Sequence, residues 1–155
     1  MADGHEVCMK QILARPQYCV DCRLCQVHCQ VEHSKSKDMI KAFKREATRP
    51  IARVRVEREG PESFAVSCRH CAEPICVYSC LTGAMRKDPV TGTVSADPDK
   101  CVGCWTCLMV CPYSAVSQDK SQHRVVKCDM CPSLKTPACV AACPNKALVL
   151  LEDKQ

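Results

Sequence analysis

The sequence is poor in the residues that ordinarily fill a protein interior. Only six of its 155 residues are aromatic: two Phe, three Tyr and one Trp. Leu, Ile, Val and Phe together number 31, near the roughly 20% level at which chains struggle to form a packed core. The hydrophobic fraction of 46% is inflated by cysteine, so an oil-drop interior is excluded and something bound must supply much of the core. With five glycines, no G-x-G-x-x-G exists to cradle a dinucleotide. There is no candidate nucleophile–base pair. No apolar run approaches the roughly 18 residues of a membrane span, and no twin-arginine signal opens the chain. Residues 1–7, Met1-Ala2-Asp3-Gly4-His5-Glu6-Val7, show neither the basic nor the apolar region of an export signal. The expectation is roughly one domain of about 150 residues, cytoplasmic, with no direct membrane span.

What the chain has is cysteine, 17 of 155 residues. Such a density first suggests a secreted disulfide scaffold. Against that stand the odd count, the missing export signal and the tight grouping of the thiols, which reads as reduced metal ligands. The first group is Cys19-x2-Cys22-x2-Cys25-x3-Cys29. The second is Cys68-x2-Cys71-x4-Cys76-x3-Cys80, and the third Cys101-x2-Cys104-x2-Cys107-x3-Cys111, followed by Pro112. The fourth is Cys128-x2-Cys131-x7-Cys139-x3-Cys143, followed by Pro144. Each matches or extends the [4Fe–4S] run C-x2-C-x2-C-x3-C-P, whose close triplet gives three thiolates to one cubane while the fourth ligates a neighbouring one. Four tetrahedral zinc ions are the competing reading. Zinc sites usually join two C-x2-C pairs over a longer spacer, which leaves the middle cysteine of a triplet without a place. The second and fourth groups depart from the strict run through spacers that carry Pro74, Pro132 and Pro137, and Gln30 and Leu81 stand where proline follows the other fourth cysteines.

The segments Cys68-Arg69-His70-Cys71-Ala72-Glu73-Pro74-Ile75-Cys76, Asp99-Lys100-Cys101-Val102-Gly103-Cys104 and Lys127-Cys128-Asp129-Met130-Cys131 resemble the four-cluster ferredoxin-type electron-transfer subunits. These accompany molybdenum or tungsten oxidoreductases, carbon monoxide dehydrogenases and hydrogenases. The resemblance runs from about Met9 to Leu151 and implies four [4Fe–4S] clusters in a nested ligand order. Cys19, Cys22 and Cys25 would share a cluster with Cys143, and Cys128, Cys131 and Cys139 with Cys29. Cys68, Cys71 and Cys76 would join Cys111, and Cys101, Cys104 and Cys107 would join Cys80. Spacing alone leaves neighbouring groups equally free to pair. The implied fold is α+β, with two ferredoxin-like units, one nested in the other, and short strands and helices around the clusters. The outer unit takes 1–67 and 112–155, with a β-hairpin insertion at about 50–67, and the inner unit takes 68–111.

Local patterns fill in this frame. Met9–Leu13, Arg124–Lys127 and Ala147–Leu151 read as short strands. Ala84–Ala96 holds a hairpin turning at Asp88-Pro89-Val90-Thr91-Gly92. Arg53–Glu57 alternates with period two, turns at Gly60-Pro61 and returns through Ser63–Val66. Short helices are expected around the fourth cysteines, as in Cys107–Cys111. Between His33 and Gly60 lie nine basic residues (Lys35, Lys37, Lys41, Lys44, Arg45, Arg49, Arg53, Arg55, Arg58) against Asp38, Glu46, Glu57 and Glu59. That stretch reads as a solvated face, with docking of an acidic partner as the sharper alternative. Nucleic acid is not expected, because this basic stretch and its near flank offer only Phe43 and Phe64 for base stacking. Bound thiolates and cubane cores would shift the formal charge of +5 to about −3. His28 and His70 sit inside groups that already hold four thiolates, so each reads as a hydrogen-bonding residue toward a cluster or solvent. Trp105 reads as packing over a cluster, and Cys8 as a thiol that binds no iron.

The expected role is relay of single electrons, without catalysis, between a catalytic oxidoreductase subunit and a second redox protein. The catalytic partner would be a tungsten or molybdenum aldehyde or formate oxidoreductase, or a carbon monoxide dehydrogenase. The second would be a flavoprotein, hydrogenase or ferredoxin. A freely diffusing polyferredoxin and head-to-tail self-association into a conducting filament are the alternatives.

Overall fold

The computed structural model describes residues 8–154. Residues 1–7, on which the reading of an absent export signal rests, lie outside the described residues. Two distant strands close the chain on itself. β1 (Cys8–Ala14) pairs antiparallel with β8 (Leu148–Lys154), Ile12 opposite Leu150 and Ala14 opposite Leu148. Ile12 and Leu148 turn their apolar side chains into the interior. The strands expected at Met9–Leu13 and Ala147–Leu151 are therefore present and partner each other.

Three hairpins lie between them. In β2 (Val54–Glu59) and β3 (Glu62–Ser67), Val54 and Val56 are buried while Arg55 faces water, the alternation of a strand covered on one side. β4 (Met85–Lys87) pairs with β5 (Val94–Ala96) across a turn in which the Asp88 carboxylate accepts the backbone N–H groups of Val90 and Thr91. β6 (Val116–Asp119) pairs with β7 (Arg124–Lys127), and Asp119 accepts from the backbone of Ser121 and Gln122 in the same way. The β6 strand was not anticipated, since Val116-Ser117-Gln118-Asp119 carries little apolar signal; its partner Arg124–Lys127 supplies the pairing.

Five short α-helices among the described residues flank the hairpins, the first two in succession: α1 (Leu24–Glu32), α2 (Met39–Lys44), α3 (Ile75–Tyr78), α4 (Thr106–Val110) and α5 (Ala138–Ala141). α2 was also not anticipated, although Asp38 caps it by accepting the Lys41 N–H at 2.9 Å. α1 packs on α5, and α3 on α4. The helices hold the third cysteine of each group, Cys25, Cys76, Cys107 and Cys139. The fourth lies at or beyond the helix end, except Cys29, which stays inside α1.

The buried residues form two clusters. One gathers Ile12, Val54, Val56, Met130 and Leu148 around Cys25, Cys29, Cys68, Cys128 and Cys139. The other gathers Met85, Val94, Val116 and Val125 around Cys107, with Cys76, Cys80, Cys101 and Trp105 against it. Thiols thus occupy core positions that Leu and Phe fill elsewhere. No helix among the described residues is long and apolar enough to cross a membrane.

Candidate metal centres

Each group begins with the same backbone device. The residue just before the second cysteine is left-handed in all four: Asp21 (φ 54°), His70 (φ 47°), Gly103 (φ 69°) and Met130 (φ 63°). Three of the four are not glycine, although the left-handed region costs an L-residue roughly 1–2 kcal/mol. The reversal turns backbone N–H groups toward sulfur: His70 donates to Cys68 Sγ and Met130 to Cys128 Sγ, both at 3.4 Å. Gly103 is the position where no other residue fits. A Cβ there would lie 2.5 Å from the His123 carbonyl oxygen.

A second left-handed residue follows the fourth cysteine by three positions in three groups: Gly83, Ser114 and Lys146. There too amides face sulfur. Met85 N–H donates to Cys80 Sγ at 3.4 Å and Ala147 N–H to Cys143 Sγ at 3.2 Å. Cys29, inside its helix, takes its donor from across the fold, the Arg53 N–H at 3.2 Å. Such contacts stabilise thiolate over thiol.

All sixteen group cysteines are free thiols. Cys19, Cys22, Cys25 and Cys143 line one cavity, and Cys80, Cys101, Cys104 and Cys107 a second. Cys68, Cys71, Cys76 and Cys111 line a third, of about 330 Å³, which Lys127 also borders. Cys139 lies in the field of Cys128, Cys29 and Cys131. Burial pushes the Cys25 thiol up to about 11, helped by Cys22, Cys143 and Cys19. It likewise pushes Cys107 up to about 11, Cys128 up to about 12, and Cys139 higher still. At neutral pH such thiols keep their protons until a cation replaces them, so metal loading releases protons. Exposed Cys104 behaves oppositely: the Thr106 N–H and hydroxyl hold it low.

The surroundings are polar in two places. Asp129 accepts from His33 Nε2 at 3.2 Å, Arg53 at 2.5 Å and the Cys131 N–H at 3.1 Å. His33 Nδ1 lies 2.7 Å from the Cys29 carbonyl oxygen. This network ties the first and fourth groups together over 96 residues of sequence, which no local pattern foreshadows. It also uses Arg53 from the basic stretch, where Lys37 pairs with Glu32 and Arg49 lies over Phe43. That stretch is therefore partly committed to internal pairs.

The second place is His70. It is 1% exposed, which excludes solvent as its partner. Its Nδ1 accepts the Val94 N–H at 2.9 Å, which puts the ring proton on Nε2, and Nε2 has no acceptor among the described residues. Burial, then the charge of Lys127, pushes His70 down to about 3, so the ring is neutral. A buried N–H without an acceptor is costly, and sulfur of a bound cluster is the acceptor type this site lacks. Free thiols in foursomes, amides aimed at sulfur and this orphan donor all fit [4Fe–4S] clusters. Trp105 caps α4 in the left-handed region (φ 62°) and borders the cavity of Cys80, Cys101, Cys104 and Cys107. His28 is half-buried in α1, and Cys8 opens β1.

Fold and thiol arrangement define an iron–sulfur protein of the ferredoxin type. The profile of the 4Fe-4S dicluster domain matches residues 61–153, and the chain belongs to that family. It is 33% identical to the electron transport protein HydN of Escherichia coli strain K12, over 91% of this chain and 87% of that one. It is 36% identical to the beta subunit of the NADH-dependent phenylglyoxylate dehydrogenase of Aromatoleum evansii, over 86% of this chain and 28% of that one. A solved structure, the active-site complex BamBC of benzoyl coenzyme A reductase, shares the fold. Its TM-score is 0.54 at 21% identity, covering 94% of this chain and 78% of that one.

Proposed function

We propose that this chain carries four [4Fe–4S] clusters and relays single electrons between a catalytic redox subunit and a second redox protein. The observation that carries the reading is the set of cavities lined by four thiols each. It supports the ligand sets Cys19/Cys22/Cys25/Cys143, Cys68/Cys71/Cys76/Cys111 and Cys80/Cys101/Cys104/Cys107. The mutual fields of Cys29, Cys128, Cys131 and Cys139 support the fourth. Packing of α1 on α5 and of α3 on α4 favours an inner unit of 68–111 set within an outer one of 1–67 and 112–155.

A bound [4Fe–4S] cluster supplies a one-electron couple whose potential follows hydrogen bonding, charge and solvent exposure. The protein's part is to hold the thiolates, donate amides to sulfur and exclude water from all but the edges. Cys22 and Cys104 are exposed. Tyr18 and Val20 lie exposed beside the first, and Leu81 and Val102 beside the second. These two surfaces suit a redox partner each. One would be a tungsten or molybdenum aldehyde or formate oxidoreductase, or a carbon monoxide dehydrogenase. The other would be a flavoprotein, hydrogenase or ferredoxin. The relationship to a dehydrogenase beta subunit favours a place within such a complex, and sixteen reduced thiols favour the cytoplasm.

The test is iron and acid-labile sulfide in anaerobically purified chain, together with co-purification. About sixteen of each per chain and a stable partner are expected. Half that iron overturns the four-cluster reading, and a chain isolated as a monomer, fully loaded and alone, overturns the subunit reading in favour of a diffusing polyferredoxin.

A further inference from the structure

Lys127 is the most deeply buried Lys or Arg side chain among the described residues, 4% exposed. It ends β7, directly before Cys128. No carboxylate among the described residues lies within ion-pair distance of it. Its Nζ donates to the carbonyl oxygens of Val94 and, at 2.9 Å, Cys128. Both acceptors are neutral, so the charge is hydrogen-bonded and yet not neutralised. A buried ammonium in that condition is expensive unless an anion comes close.

The anion has a place. Lys127 borders the cavity lined by Cys68, Cys71, Cys76 and Cys111, whose wall also holds Arg69 and Glu73, and its field reaches Cys76 and, beside it in sequence, Cys128. The cavity lined by Cys80, Cys101, Cys104 and Cys107 has no basic residue in its wall. The contrast is sharpened by Lys100, which stands before Cys101 as Lys127 stands before Cys128 but is exposed to water. Val94, itself 1% exposed, fixes the arrangement: its carbonyl accepts from Lys127 and its N–H donates to His70 Nδ1. The unpartnered Nε2–H of His70 is a second buried donor in the same neighbourhood.

We propose that Lys127 is the internal counter-cation of the cluster bound by Cys68, Cys71, Cys76 and Cys111, a positioning residue that raises its potential above that of the Cys80/Cys101/Cys104/Cys107 cluster. With four thiolates the oxidised cluster carries about −2, and one electron from a low-potential donor takes it to about −3; a fixed positive charge beside it favours the second state. Of the two inner clusters, the one beside Lys127 is reduced first, and an electron entering at exposed Cys104 runs inward. This rests on the four-cluster reading.

The experiment is an EPR-monitored redox titration of the fully loaded chain with dithionite, comparing wild type, Lys127→Gln and Lys127→Arg. Loss of the charge in K127Q should make reduction of one cluster at least tenfold less favourable, a fall of 59 mV or more for a one-electron couple, with the other midpoints moving less. K127R should restore the wild-type value. An unchanged set of midpoints in iron-replete K127Q, or an equal shift in all clusters, overturns the proposal and leaves the cluster count standing; a wild type with eight irons overturns the four-cluster reading itself. Should K127Q fail to hold iron, the wild type labelled with ¹⁵N at lysine Nζ decides. A ¹⁵N hyperfine coupling on the first reduced of the two inner clusters supports the assignment, and its absence from that cluster overturns it.

Discussion

The first and third cysteine groups keep the strict run, whereas the second and fourth stretch it, and the two kinds build different edges. In the strict groups a left-handed residue, Arg23 (φ 58°) or Trp105 (φ 62°), starts the helix immediately after the middle cysteine. That cysteine, Cys22 or Cys104, is left exposed. In the stretched groups Pro74 or Pro137 starts the helix instead, its fixed φ doing what the left-handed residue does elsewhere. The middle cysteine is then half-buried (Cys71) or buried (Cys131). Spacer length therefore goes with whether the middle thiol is exposed or drawn toward the interior.

Removing the metal should erase this difference altogether. Because buried thiols supply core positions in both clusters of buried residues, chelation under reducing conditions should unfold the chain as a whole, seen as loss of far-ultraviolet circular dichroism. An iron-free chain with the holo spectrum would refute the account of the core. Single serines should bring the difference out. Cys104→Ser should release about four irons, stop electron flow in the complex and keep most of the secondary structure. Cys131→Ser, at a buried site, should also lower the thermal midpoint clearly. Equal midpoints in the two variants would break the comparison. The smallest effect is expected at Gly103→Ala, where a methyl group would strike the His123 carbonyl in a left-handed backbone. A loss of about 1–3 kcal/mol is expected in denaturant titration of the loaded chain.

The thiol groups were legible because thiolates that share one inorganic core must lie close together, and two of the three hairpins because Asp88, Gly92 and Gly60-Pro61 mark their turns. What escaped was geometry imposed from outside the local sequence. Nothing in Asp21, His70 or Met130 announces a left-handed residue; the turn between paired cysteines imposes it, and only Gly103 shows it openly. The Asp129 network escaped because His33 and Arg53 reach it from far along the chain. Lys127 was visible as a strand residue next to a ligand, and the strand pattern carried no sign that its ammonium would be buried.

The ladder between β1 and β8 joins Cys8 to Lys154. During synthesis β1 (Cys8–Ala14) is made well before β8 (Leu148–Lys154) and must wait for that neighbour to exist. Pairing across so wide a separation is slow to find.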